Sequence, residues 1–185
     1  YAEAREALDL FLQDDKMSKM AIAADAYFMM AEVASEQGRN EKDKTLRGKC
    51  FGAAIGAVKK VRGYWSKKPQ WEQDAIDLLS GDILVRRYEA EKGMGLDEDA
   101  AETLGRAAST FQVFIQAKSP SEEHPIEAFN DGERENLERA YATLLPLMVK
   151  QGAGQAAKVV ELGEACLKLF PGGRHQTAIM NAINQ

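Results

Sequence analysis

The stretch richest in groups that could do chemistry is Lys59-Lys60-Val61-Arg62-Gly63-Tyr64-Trp65-Ser66-Lys67-Lys68, followed closely by Trp71. Basic groups at this density neutralise phosphates or carboxylates, and Tyr64 and Trp65 offer flat faces for stacking on a base or gripping a peptide. The same residues also have a structural use. Lys and Arg at a helix C-terminus complement the helix dipole, and the aromatics can plug the joint toward Trp71. The chain is acidic overall, with a formal net charge of −5, and has no nucleic-acid motif. An acidic protein partner therefore suits the stretch better than nucleic acid.

Other reactive side chains are sparse. His124 lies in a Pro-bounded segment beside Glu122 and Glu123, and His175 follows a Gly-Gly turn. Both read as surface histidines. Acid–base and nucleophilic catalysis need a base within hydrogen-bond reach of its partner, and a metal site needs several converging ligands. The carboxylate pairs Glu135 with Glu138 and Glu161 with Glu164 share helix faces with no histidine, so they are expected to be solvated surface. The chain has no P-loop, dinucleotide fingerprint, HExxH or paired CxxC, and the sequence points to no cofactor and no metal. Cys50 and Cys166 are far apart and fit no metal spacing. They read as small buried residues, with a long-range disulfide as the alternative.

Charge is unevenly spread. Residues 39–68 hold ten Lys or Arg against two acids, a net of +8, and residues 97–138 hold eleven acids against three bases, a net of −8. One part is anion-seeking and the other its opposite. The longest uncharged run of the third helix, Cys50 to Val58, is too short to cross a bilayer, which takes about 20 apolar residues. The sequence starts at Tyr1 with no signal-like segment, so it is expected to be a fragment of a longer chain from which targeting information is missing.

The elements that position these residues follow from a single period. Leu137, Ala140, Tyr141, Leu144, Leu145, Met148 and Ala100, Leu104, Ala107, Ala108, Phe111, Phe114, Ile115 recur at i, i+3, i+4 and i+7, the signature of amphipathic helices. No segment shows the strict alternation of a strand. The first helix spans about Ala2 to Gln13. Asp14 and Asp15 can cap a second that runs to Gln37, with Met17, Met20, Ala21, Ala24, Phe28, Ala31 and Ala34 inward and Gly38 as left-handed cap. A third runs from about Lys42 to Gly63, with Pro69 beyond it, and a fourth from Gln70 to Lys92, closed by Gly93 and Gly95.

Asp97, Glu98 and Asp99 open a fifth helix that reaches about Lys118, because carboxylates meet the unpaired N–H groups there. After a loop from Ser119 to Asn130, Asn130 and Glu133 form a capping box for the sixth, which ends near Gln151 and is expected to kink at Pro146 rather than end there. The seventh covers Gln155 to Phe170, and the eighth Arg174 to Asn184.

The third helix is apolar on two sides: Leu46, Cys50, Ala54, Ala57 and Val61 on one, Phe51, Ile55 and Val58 on the other. A helix in the middle of a stack looks like this, and so does the central helix of a closed bundle. Gly48, Gly52 and Gly56 share a further face. Since each glycine costs about 1 kcal/mol in a helix interior, close approach of a neighbouring helix is expected there. The alternative is room for a ligand against bare backbone.

The run Tyr141-x2-Leu144-Leu145-x2-Met148, followed by Gly152, Ala157 and Pro171, resembles the tetratricopeptide repeat, with Leu145 where that family has Gly and Glu161 where it has an aromatic. Tyr27, Ala31 and Gly38 repeat the same offsets, and Lys168-Leu169-Phe170-Pro171-Gly172-Gly173-Arg174 is similar to repeat junctions of bacterial envelope members. The resemblance implies a right-handed superhelix of antiparallel helix pairs, a protein-binding scaffold without chemistry of its own, and a periplasmic or envelope location.

The reading is one all-α, tetratricopeptide-like domain over residues 1–185, with a closed helical bundle as the alternative. Its expected work is non-enzymatic: binding a segment of another protein, acidic in character, through Lys59, Lys60, Arg62, Tyr64, Trp65, Lys67, Lys68, Trp71, Arg86 and Arg87. A helical-bundle enzyme or small-ligand protein is the rival reading.

Overall fold

A computed structural model describes residues 1–14, 16, 17 and 22–185. Among the described residues the chain is all-α. Its helices are α1 (Ala2–Gln13), α2 (Ile22–Asn40), α3 (Lys44–Tyr64), α4 (Gln70–Gly93), α5 (Asp97–Lys118), α6 (Asp131–Lys150), α7 (Ala156–Leu169) and α8 (Gln176–Ile183), with short 3-10 turns at Ile126–Ala128 and Ala153–Gln155. Contacts group these into two compact units, Tyr1–Thr103 and Leu104–Gln185. Asp15, Met20 and Ala21, expected to cap or line the second helix, lie outside the described residues. Met17 precedes α2 and is exposed.

In the first unit, α3 starts where Asp43 accepts a hydrogen bond from the Leu46 backbone N–H at 2.8 Å. It is then buried on both expected sides, Cys50, Ala54, Ala57 and Val61 on one and Phe51 with Val58 on the other, with Ile55 half-buried. Leu46 is 49% exposed and leaves that stripe, because the first turn overhangs the end of the core. The core joins Met30, Ala31 and Ala34 of α2 to this double face and to Ile76, Leu79 and Ile83 of α4. The alanines of α2 bring its backbone close to α3.

Two glycine expectations are corrected by this packing. Gly38 does not end α2 in a left-handed turn. The helix continues to Asn40, and a methyl group at Gly38 would meet the Phe51 ring at 2.9 Å and Cys50 Cβ at 3.2 Å. Gly38 is the point of close approach between α2 and α3. Gly48, Gly52 and Gly56, where close approach was expected, have nothing within 4 Å of the position a methyl would take. Their face of α3 is open, because the neighbours α2 and α4 occupy its other two sides.

The second unit is built around α6, which packs on both α7 and α8. The expected stripe of α6 is buried from Leu137 to Met148, and the helix passes through Pro146 without a break. Its start is the anticipated capping box, with Asn130 Oδ1 accepting from Glu133 N at 2.9 Å and Glu133 Oε2 from Asn130 N at 2.8 Å. Gly152 (φ 107°) and Gly172 (φ 76°) take the left-handed turns that carry the chain into α7 and α8. At Gly163 a methyl would meet Ile183 Cγ1 at 2.6 Å, so α7 and α8 pack with almost no gap.

Glu138 contradicts the expectation of a solvated carboxylate pair. It is buried, and its Oε1 accepts from the His175 backbone N–H at 2.8 Å at the start of α8. A methyl at Gly173 would overlap that carboxylate, so the glycine makes room for it. Glu135 does remain exposed and meets Arg174 at 3.0 Å. Cys50 and Cys166 are both buried and unbridged. Burial, with Glu138 nearby, pushes the Cys166 thiol up to about 12.

Candidate functional site

The basic-aromatic stretch forms the corner where α3 gives way to α4. Val61 and Val58 anchor the last turns of α3 in the core, and this fixes what projects on the other sides. Lys59 and Lys60 are exposed. Tyr64 lies against Tyr27 of α2, ring centroids 5.8 Å apart at 33°. Trp65, the C-terminal cap residue of α3, is half-buried against the core and carries Lys68 Nζ 5.3 Å above its ring.

Several expected binding cations are already engaged. Arg62 Nη1 is 2.7 Å from Asp77 Oδ1, and Lys68 Nζ is 3.1 Å from Glu72 Oε2. Arg86 Nη1 meets Glu32 Oε2 at 2.9 Å, and Arg87 Nε meets the buried Glu91 at 2.7 Å. The Glu32 hydrogen bond raises the Arg86 pKa above its usual value. Lys59, Lys60 and Lys67 make no ion pair among the described residues and stay available to a partner.

The structure gathers Lys59 to Trp71 at one corner but leaves Arg86 and Arg87 away from it. Trp71 stands in the first turn of α4 at 37% exposure, and Arg86 follows fifteen residues later, about 22 Å along the helix axis. The two arginines hold α4 to α2 and brace α4 itself.

Next to the corner is a feature that the sequence reading did not locate. An open cleft of about 390 Å³ lies between α1, α2 and α3, with Tyr27 as one wall and Ala53 and Gly56 on its floor. Lys60, Arg5 and Asp9 stand around it. Arg5 is steadied by a hydrogen bond from its Nη1 to Gln37 Oε1 at 3.2 Å and a longer one to Cys50 Sγ at 3.7 Å. Gly56, one glycine of the open face of α3, thus lies with Ala53 and Ala57 on the floor of a cleft whose wall, Tyr27, lies tilted against Tyr64 of the corner. The signal was present in Arg5, Leu8 and Leu12, spaced i, i+3 and i+7 on α1, which place Arg5 on the side turned toward the core.

The histidines take no part. His124 is stacked on Phe129, centroids 4.7 Å apart, with Nε2 3.8 Å from Glu133 Oε1, and His175 caps α8 through its backbone. Among the described residues no three His, Cys, Asp or Glu side chains converge as a metal site would require, and no helix is long and apolar enough to cross a membrane. No protein-family model matches the chain, and no curated protein and no solved structure matches it.

Proposed function

We propose that the chain is a non-enzymatic protein-interaction module that holds an acidic segment of another protein in the cleft between α1, α2 and α3 and on the adjoining corner. The observation that carries this reading is the cleft itself, a recess with Gly56 and small alanines at its floor, an aromatic wall, and Lys60 and Arg5 beside Asp9 at its edge. A carboxylate-bearing segment lies along the floor at Gly56, where no side chain blocks it. Its charges meet Lys59, Lys60 and Lys67, and its apolar groups meet Tyr27 and Trp71. Long-range attraction from the basic stretch speeds the encounter, and desolvated aromatic contact sets the lifetime.

A tetratricopeptide-like stack of antiparallel helix pairs is the proposed architecture. It is supported by the packing of neighbouring helices within each unit, α2 on both α3 and α4, and α6 on both α7 and α8. The bacterial envelope remains the proposed location, on the similarity of the Phe170-Pro171-Gly172 junction alone.

The test is capture of a partner from the native cell by the full chain, with identification of what is retained. Replacing Lys59, Lys60, Lys67 and Lys68 together by Gln is expected to leave the thermal midpoint nearly unchanged, since exposed charges contribute little, while weakening capture and flattening its salt dependence. Trp71→Ala is expected to weaken the same capture at high salt as well. It is a cleaner probe than Trp65→Ala, because Trp65 also packs on the core. Capture indifferent to both sets of changes would place the site elsewhere.

A further inference from the structure

The first unit carries a second recess, of opposite character. α1 and α2 frame an open groove of about 580 Å³ along which Ala7 and Phe11 of α1 face Ile22, Met29 and Val33 of α2. Among the described residues its lining is apolar except for Asp25, with no Lys or Arg. Met29 is 59% exposed and Ile22 51%, so large apolar side chains meet water here.

The edges are acidic. On α2, Asp25, Glu32 and Glu36 are spaced i, i+7 and i+11 and share the side that flanks Met29. Glu3 stands in the first turn of α1, and Asp14 follows that helix directly as its C-terminal cap residue. Asp14 accepts hydrogen bonds from the Lys16 and Met17 backbone N–H groups, which hold its carboxyl below the usual range and keep it charged. Glu32 is taken by Arg86, and Glu36 is 3.8 Å from Arg39. Asp25 and Glu3 make no ion pair among the described residues.

We propose that this groove docks a basic amphipathic helix of a partner protein, its apolar stripe between α1 and α2 and its Lys or Arg side chains against Asp25, Glu36 and Glu3. A helix suits the recess because the apolar contacts repeat at helical spacing along both walls. The length of α1, about 18 Å, seats roughly three turns. Charge complementarity selects a basic partner, and the like charge of the rim repels the acidic segment proposed for the cleft. A second copy of this chain fits poorly. Its basic helix, α3, exposes Gly52, Gly56, Lys59 and Lys60 and keeps its apolar anchors in its own core.

The experiment titrates the full chain into a fluorescein-labelled synthetic helical peptide with Leu and Phe at i, i+3, i+4 and i+7 and Lys at the flanking positions. A counterpart with Glu for each Lys is run in parallel, and both are followed by anisotropy at low and high salt. The Lys peptide is expected to bind at least about tenfold more tightly than the Glu peptide at low salt. Asp25→Asn with Glu36→Gln should weaken it about fivefold and reduce its salt dependence. Met29→Gln, at an exposed position that leaves the thermal midpoint in place, should weaken it about tenfold at every salt concentration. Equal binding of the two peptides would overturn the proposal, and so would binding unaffected by Met29→Gln. A wild-type dimer in sedimentation equilibrium that Met29→Gln dissociates would assign the groove to a second copy instead and overturn it as well.

Discussion

Residues 1–103 and 104–185 are built from the same element, the amphipathic helix, yet the two units treat glycine and charge differently. In the second unit Gly163 and Gly173 sit where a methyl would collide with Ile183 and Glu138, and the buried carboxylate of Glu138 is held by a backbone N–H. Gly152 and Gly172 make its turns, and Gly105 inside α5 has nothing within 4 Å of a methyl position. In the first unit Gly38 is a packing glycine, whereas Gly48, Gly52 and Gly56 face open space. Apolar residues of α1 and α2 also remain exposed there. A helix that carries three interior glycines with nothing packed on them gives up propensity for no gain in packing. The contrast is one of degree: the second unit also has an open helical glycine, Gly105, and a recess of about 230 Å³ beside Val149 and Val159, whereas the two larger recesses proposed as sites, about 390 and 580 Å³, lie in the first.

The largest expected effect tests the second unit. Leu144→Asp places a carboxylate at a position with no exposure and is expected to destabilise by more than about 4 kcal/mol in chemical denaturation. A small change would mean that the α6 stripe is not core. Gly38→Ala comes next. It asks the Phe51 ring and Cys50 to give way, and destabilisation of about 1 to 2 kcal/mol is expected after the gain in helix propensity.

The same methyl at Gly52 should act in the opposite direction and stabilise by about 1 kcal/mol, because nothing stands near it. Measured side by side, Gly38→Ala and Gly52→Ala separate a packing glycine from an open one, and a loss at both would erase the distinction.

The last effect is one of pH. The Cys166 pKa is raised from 9.0 to about 12 by burial and by Glu138, so the folded state holds the thiol proton more tightly than the unfolded chain does. The corresponding stability is complete below about pH 9 and is lost as pH climbs toward 12. Thermal midpoints of the wild type should therefore fall more steeply over that window than those of Cys166→Ala. Parallel slopes would show that the thiol is not desolvated.

How much of this was legible follows from what each residue reports. The α6 stripe, the Asn130–Glu133 capping box and the Asp97 helix start could be read directly, because apolar spacing and N-terminal capping are local properties of the chain. Gly38 and Gly52 could not be told apart, since glycine in a helix has the same cost whether a neighbour lies 2.9 Å from the site or far away, and only the tertiary contact decides. Glu138 was read as surface because its partner, the His175 N–H, is 37 residues distant. The corner around Trp65 was visible as a cluster in sequence. Arg86 and Arg87 share the basic character of that corner, but fifteen residues of α4 carry Arg86 about 22 Å from Trp71 along the helix axis. The cleft was hidden because its walls come from three helices.

The central claim is that partner recognition belongs to the first unit. Its most direct test is amide chemical-shift mapping of the full ¹⁵N-labelled chain with an Asp- and Glu-rich peptide bearing one aromatic residue. The account predicts shifts at Lys59, Lys60, Tyr64 to Lys68, Trp71 and, across the cleft, Arg5 and Tyr27, with α6 to α8 unmoved. Shifts concentrated in α6 to α8, or none at peptide concentrations that saturate an ordinary weak interaction, would contradict it.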